Sequence, residues 1–136
     1  MKQYKFKAHN DSRGSLITIE GVHDIPFEIK RVYFMYNIGL NQVRGCHAHR
    51  TLQQVLICIN GKCSIALDDA HSREVLVLSR GDQGIYIGPY IWHEIYNCTN
   101  NTIILALASD YYDESDYIRD YKEFLNFVSS NKEGSL

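Results

Sequence analysis

Several features that would direct a reader to a function class are scarce or missing in this chain. No charge of one sign dominates: 14 Lys and Arg stand against 16 Asp and Glu, a formal net charge of −2. Nucleic acid is held through clustered basic charge, and neither a basic segment nor a helix-turn-helix is present, so no nucleic-acid partner is expected. No apolar run approaches the ~18 residues that cross a bilayer. No basic-then-apolar leader opens the sequence. The expected location is the cytoplasm, with no membrane partner. Cys46, Cys58, Cys63 and Cys98 form no Cys-x-x-Cys pair, which removes the usual spacing of a zinc or redox site. They read as four buried thiols of a reducing compartment. No linker or low-complexity stretch divides the chain. Its 136 residues, 45% hydrophobic and 22% charged, suit one soluble domain with a single core.

What is present is a succession of short runs rich in β-branched and aromatic residues. They are Ser15–Glu20, Ile29–Asn37, Gln53–Asn60, Cys63–Asp68, Glu74–Leu78, Gly84–Ile87, His93–Asn97 and Thr102–Ala108. Many short strands with turns between them predict an all-β sandwich or barrel. Asn60-Gly61 predicts a tight hairpin, because both residues tolerate positive φ. Arg80-Gly81-Asp82 and Gly88-Pro89 mark further reversals. From Ser115 the period changes. Ile118, Tyr121, Leu125 and Val128 recur at helical steps, and Asp113 to Asp116 sit where a helix start favours acceptors and negative charge. The predicted organisation is a single domain over 1–136, a β-barrel over 1–112 followed by a C-terminal helix over 113–130. The polar residues Ser129–Leu136 are expected to fray.

The chemistry concentrates in Gly45-Cys46-His47-Ala48-His49 and in Gly88 to Asn97. Residues two apart on a strand share a face, so His47 and His49 project together, and His93 on another strand could converge on them. His47, His49 and Gly61 resemble the first sequence motif of the cupins, and His93 with Asn97 resembles the second. That resemblance implies a jelly-roll β-barrel with the active site in its lumen. The position where metal-binding cupins carry glutamate is Gln54 here. A neutral carboxamide is a poor ligand for a hard divalent cation, so no metal is expected, although three histidines alone can hold zinc. Imidazoles in a cavity suit proton transfer near neutral pH.

A second resemblance covers almost the whole chain. Ile25-Pro26-Phe27-Glu28-Ile29-Lys30-Arg31-Val32-Tyr33, Arg44 to Arg50, Gln54 to Cys58, Tyr86-Ile87-Gly88-Pro89 and Ala108 to Arg119 are similar to the nucleotide-sugar 3,4-ketoisomerases. The resemblance implies conversion of a dTDP-linked 4-keto-6-deoxy-glucose to its 3-keto isomer with no metal or other cofactor. It also implies a homodimer whose N-terminal strands are exchanged. It makes His49 the first choice for the base, with His47 in a second proton-transfer or orienting role. Arg44 and Arg31 become the candidates for the pyrophosphate, which a guanidinium matches bidentately. Tyr33, Tyr36 and Gln54 become candidates for the substrate pocket. The Arg13 and His93 combination resembles the galacto-forming type, with the gluco-forming product as the alternative. Three other readings stay open: a 3,5-epimerase-type cupin, a metal-dependent oxygenase and a non-catalytic sugar binder. The epimerase type would need a His–Asp pair, and no aspartate is visibly set to support His47 or His49.

Overall fold

A computed structural model describes the backbone of residues 2–134 and the side chains of residues 2–131. The strands in chain order are β1 (Gln3–Lys5), β2 (Ala8–Asp11), β3 (Gly14–Ile17), β4 (Arg31–Met35), β5 (Arg44–His49) and β6 (Gln54–Asn60). They continue as β7 (Cys63–Asp68), β8 (Arg73–Leu78), β9 (Gln83–Ile87), β10 (Trp92–Tyr96), β11 (Ile103–Ala108) and the two-residue β12 (Tyr117–Ile118). A helix, α1 (Tyr121–Gly134), follows. Two five-stranded antiparallel sheets form the body, ordered β1-β9-β6-β11-β4 and β12-β5-β10-β7-β8. The hairpin β2-β3 pairs with neither sheet. This is the predicted cupin jelly roll.

Alternation along each strand sends one set of side chains into the lumen. Leu56, Cys58, Ile65, Leu67, Ile85, Ile95, Ile104 and Ala106 form the inner cluster. Each Leu or Ile among them, fully buried, contributes about 1.5–3 kcal/mol. A second cluster lies on the outer face of the first sheet, where Phe6, Ile25 and Phe27 of the N-terminal segment cover Val55, Ile57 and Leu107. A third pins α1 to the second sheet through Phe124, Val128, Trp92, Ile118 and Ala48.

Four expectations change. The Asn60-Gly61 turn exists, with Gly61 at φ 77°, but it makes no hairpin. It carries the chain from one sheet to the other, since β6 pairs with β9 and β11 while β7 pairs with β8 and β10. The C-terminal helix begins at Tyr121 rather than 113. Asp120 is its N-cap, accepting from the Glu123 amide at 3.2 Å, and the acidic residues before it form a 3-10 turn, Glu114–Asp116. Ile118 is therefore a buried strand residue, not part of the helical face, and the apolar anchor of α1 is Phe124. The helix also continues through the segment expected to fray, as far as Gly134; residues 135 and 136 lie outside the described ones. Finally, Cys46 is exposed while Cys58, Cys63 and Cys98 are buried.

Candidate active site

The wall that carries the histidines is irregular for a reason visible in its backbone. Gly45 and Cys46 both have positive φ, 83° and 58°. The pairing of β10 with β5 slips there, His93 facing His47 and Glu94 facing Gly45. Cys46 is thus the extra residue of a β-bulge, and such an insertion re-aims the side chains beside it. Arg44 and His47, three residues apart, consequently line one cavity. A regular strand would have put them on opposite faces. A Cβ at Gly45 would stand 3.0 Å from the His93 carbonyl oxygen, so the bulge also lets the two His-bearing strands approach.

The three imidazoles meet. Ring centroids lie 4.5 Å apart for His47 and His93, 4.8 Å for His47 and His49, and 6.3 Å for His49 and His93. His47 Nδ1 lies 3.0 Å from the Gly45 carbonyl oxygen, to which it donates. The cavity beside them holds about 240 Å³ and is lined among others by Arg31, Tyr33, Arg44, His93 and Tyr117. A smaller recess around His49 shares Arg31 and Tyr117 with it. Burial lowers the pKa of all three histidines. For His49, burial and the His47 ring outweigh the opposing pull of Asp116 and bring it down to about 4. Burial holds His47 down against its Gly45 hydrogen bond. Burial followed by the other two rings holds His93 well below its ordinary value. At neutral pH the cluster is uncharged and each ring keeps an acceptor nitrogen.

Tyr33 and Gln54 stand on the lumen side of β4 and β6, and the Tyr33 hydroxyl donates to Gln54 Oε1. Burial pushes Tyr33 up to about 12. Gln54 Nε2, His49 Nε2, His93 Nδ1 and Arg31 Nε are buried with no hydrogen-bond partner among the described residues. Such atoms are costly to leave unpaired and mark places where a polar ligand has something to gain.

Of the residues singled out in the sequence, Arg31, Tyr33, Arg44, His47, His49, Gln54 and His93 come together. Two do not. Tyr36 continues the outward-facing row of Val32 and Phe34 on β4, all more than half exposed, and lines a separate cavity with Phe34, Asn37 and Asn60. Arg13 sits on the β2-β3 hairpin, 2.6 Å from Asp11, and lines a cavity that contains none of the three histidines. That cavity and the Tyr36 one are larger than the histidine-lined one, about 400 and 430 Å³, yet neither gathers buried groups of this kind.

Three residues were missed. Asp116, read as part of a helix start, accepts from His49 Nδ1 at 3.1 Å. The expectation that no aspartate supports a site histidine is therefore overturned. Tyr117 lies opposite His49 in β12, its ring 4.4 Å from that of His49 and 4.8 Å from that of His47. Arg119 lines the cavity, lies over the Tyr117 ring at 4.3 Å and is bound to Glu114 at 2.7 Å. The signal was blurred because Ile118, a strand residue, stands one helical step before Tyr121 by chance.

The donor set does not suit the metal that many cupins hold. Gln54 replaces the carboxylate ligand with a neutral carboxamide, a poor ligand for a hard divalent cation, and among the described residues no trio of His, Cys, Asp or Glu is arranged around an ion.

The two facing sheets and the histidine-bearing lumen define the molecule as a cupin. The family model described as FdtA: WxcM-like, C-terminal matches residues 1–129. The chain is 44% identical over 136 residues to the TDP-4-oxo-6-deoxy-alpha-D-glucose-3,4-oxoisomerase of Aneurinibacillus thermoaerophilus, covering 98% of each protein. Among solved structures, a 3,4-ketoisomerase from Helicobacter canadensis superposes with a TM-score of 0.92 at 46% identity, over 94% of this chain and 96% of that one. The 3,4-ketoisomerase QdtA from Thermoanaerobacterium thermosaccharolyticum, in complex with TDP, gives 0.93 at 42% identity, over 96% and 95%. The chain belongs to the FdtA, WxcM-like family of sugar 3,4-ketoisomerases, and it is an isomerase. Among the described residues no helix is long and apolar enough to cross a membrane.

Proposed function

We propose that the chain converts dTDP-4-keto-6-deoxy-D-glucose to dTDP-3-keto-6-deoxy-D-galactose, as a step toward dTDP-3-amino-3,6-dideoxy sugars. The substrate of the Aneurinibacillus relative and the TDP bound to QdtA support the choice of substrate. The observation that carries the mechanism is the buried, unpartnered Nε2 of a neutral His49. A ketone at C4 acidifies the hydrogen on C3. His49 Nε2 takes that proton, and the C–H electron pair moves into the C3–C4 bond as the C4 oxygen gains charge. Gln54 Nε2 and Arg31 Nε, both buried donors without partners, are suited to that oxygen or its neighbour. The C3 hydroxyl gives up its proton and the C4 oxygen gains one, and delivery of a proton to C4 then leaves the ketone at C3 and a hydroxyl at C4. His47, next to His49, is the second proton-transfer group. Arg44 is the candidate for the pyrophosphate, with Arg31 the alternative.

The galacto product rests on Arg13 with His93. Arg13 meets no histidine within its own chain, so it is delivered by exchange: the β2-β3 hairpin, unpaired with either large sheet, reaches the site of a second subunit in a homodimer. The shorter strand β1 stays on β9 of its own chain.

One observation favours a second reading, a 3,5-epimerase: the His49–Asp116 pair is the arrangement such an enzyme needs. Incubation with dTDP-4-keto-6-deoxy-glucose in deuterated water, followed by NMR of the product, separates the two. Ketone migration with deuterium at C4 is expected. Deuterium at C5 without migration selects the epimerase. Substituting His49→Asn is expected to keep the fold and remove most turnover, and full activity in that variant takes His49 out of the mechanism.

A further inference from the structure

The histidine-lined cavity changes character from its solvent side to its inner end. Two exposed arginines, Arg44 and Arg119, stand on the solvent side. His93, Leu56 and Ile95 form the inner end, none of them more than 2% exposed. Residues two apart on a strand share a face, and one such step divides polar from apolar lumen groups on three strands. His93 is followed by Ile95 on β10, Gln54 by Leu56 on β6, and Tyr33 by Met35 on β4. Leu56, Ile95 and Met35 all line the cavity. The first two belong to the inner apolar cluster, and Met35 packs against it. None of the three brings a hydroxyl, an amide or a charge, and a thioether is only a weak acceptor.

The size of the cavity and the shape of a pyranose constrain how a nucleotide sugar enters. At about 240 Å³ the cavity is smaller than the ~300–1,000 Å³ that encloses a drug-sized ligand. It therefore takes the sugar ring and leaves most of the nucleotide outside. C4 lies across the ring from C1, which carries the nucleotide, so the ring enters with C4 leading, C3 on one side and C5 on the other. With the C3–C4 edge against the imidazoles, the substituent on C5 turns toward the neighbouring apolar wall.

We infer that Leu56, Ile95 and Met35 form a seat for the C6 methyl group and select 6-deoxy sugars over sugars that keep a 6-hydroxyl. A methyl group there buries apolar surface against apolar surface. A hydroxyl in the same place loses its water and finds no partner on the wall. The inference rests on the substrate being a nucleotide sugar, and it does not depend on which histidine takes the C3 proton. A wall that served only the core would bind either sugar alike.

The probes are dTDP-6-deoxy-D-glucose, dTDP-D-glucose and dTDP-D-xylose. All three are stable analogues with a hydroxyl in place of the C4 ketone, and they differ only at C5, which carries methyl, hydroxymethyl or hydrogen. Isothermal titration of the full chain measures the Kd of each. A hydrophobic site rejects an added hydroxyl by about 10²-fold and a missing methylene by about 10–200-fold. The 6-deoxy sugar is therefore expected to bind at least about tenfold more tightly than either of the others. If the glucose or the xylose compound binds within about threefold of it, the inference is overturned, whether or not any variant folds. Ile95→Thr places a hydroxyl in the seat. Its preference for 6-deoxy-glucose over glucose should shrink to within about threefold, while dTDP alone binds as it does to the native protein. A variant that binds dTDP normally and keeps the native preference refutes the assignment to this wall. Should the native protein show the preference but move no ketone, the proposed reaction fails and the seat stands. Should it move the ketone yet bind the three sugars alike, the seat fails and the reaction stands.

Discussion

Acid should unfold this protein earlier through its histidines than through its carboxylates, and the size of the effect follows from His49. Its pKa falls from an ordinary 6.5 to about 4 in the folded state. Below pH 6.5 the unfolded chain therefore binds a proton that the folded chain refuses, and stability drops as pH falls until the folded ring itself titrates. At ~1.4 kcal/mol per pKa unit, the loss between pH 6.5 and 4 is about 3 kcal/mol from this ring alone. His47 and His93 are lowered for the same reason, burial, and add in the same direction. A domain of this size has roughly 5–15 kcal/mol in total, so the effect is large. The carboxylates lie in another window. Arg119 and Tyr112 hold Glu114 down to about 2. Burial pushes Asp116 up, but the Thr51 and Leu52 donors and the His49 ring together keep it below its usual value. Their stabilisation is present above their unfolded pKa and is lost only as pH falls below ~4. Urea denaturation at fixed protein concentration, at pH 7.5, 6, 5 and 4.5, measures the slope. His49→Asn keeps a side-chain donor facing Asp116 but cannot be protonated, so its loss across this window should be smaller by about 2–3 kcal/mol. Parallel stability curves for the two proteins would refute the reasoning.

Arg44→Met should raise KM for the nucleotide sugar at least tenfold with kcat little changed, because a charge-assisted hydrogen bond contributes about 1.5–3 kcal/mol; steady-state kinetics read it. Tyr33→Phe removes the hydroxyl that satisfies Gln54 Oε1, and thermal melts should show a loss of about 1–3 kcal/mol, the cost of a buried acceptor left unpaired. Gly61→Ala must adopt a φ of 77° and place a Cβ 2.7 Å from the Thr102 Cα. It should lose about 1–3 kcal/mol or more while the folded fraction keeps native kcat. Gly45→Ala, whose Cβ would meet the His93 carbonyl oxygen at 3.0 Å, should instead lower kcat, since it pushes two site strands apart.

The strand-rich body was legible because its signal is local. Six of the eight predicted runs overlap observed strands almost end to end; the exceptions are Ser15–Glu20, of which only Ser15–Ile17 lies in β3, and Ile29–Asn37, which overshoots β4 by two residues at each end. Inner-wall candidates such as Tyr33, His47, His49 and Gln54 followed from alternation and from the family pattern. What failed needed knowledge of pairing. Asn60-Gly61 looks the same in sequence whether the next strand joins the same sheet or the opposite one. Tyr36 alternates with apolar residues just as Tyr33 does, and only the identity of the lumen side separates them, because a step of one residue exchanges faces. Asp116 lies 67 residues from His49, with nothing local to announce the contact, and the carboxylates around it offered a plausible helix cap instead.

The lumen is asymmetric along its length, and that asymmetry ties the stability argument to the chemistry. One end is closed by Cys58, Cys63, Cys98, Ile65 and Leu78, all buried; the other presents the imidazoles with Arg31, Arg44 and Arg119 beside the cavity. The apolar end and the packed walls provide the low-dielectric surroundings that keep the rings neutral. A neutral ring can accept a proton at pH 7, which a solvated imidazolium cannot. The same burial makes each ring a liability in acid, so the pH at which the fold weakens and the pH at which the base is lost share one physical cause. A substitution that hydrates the lumen, such as Leu56→Ser next to Gln54 on β6, should therefore raise the histidine pKa values, flatten the acid limb of stability and weaken discrimination between the proton in transit and solvent.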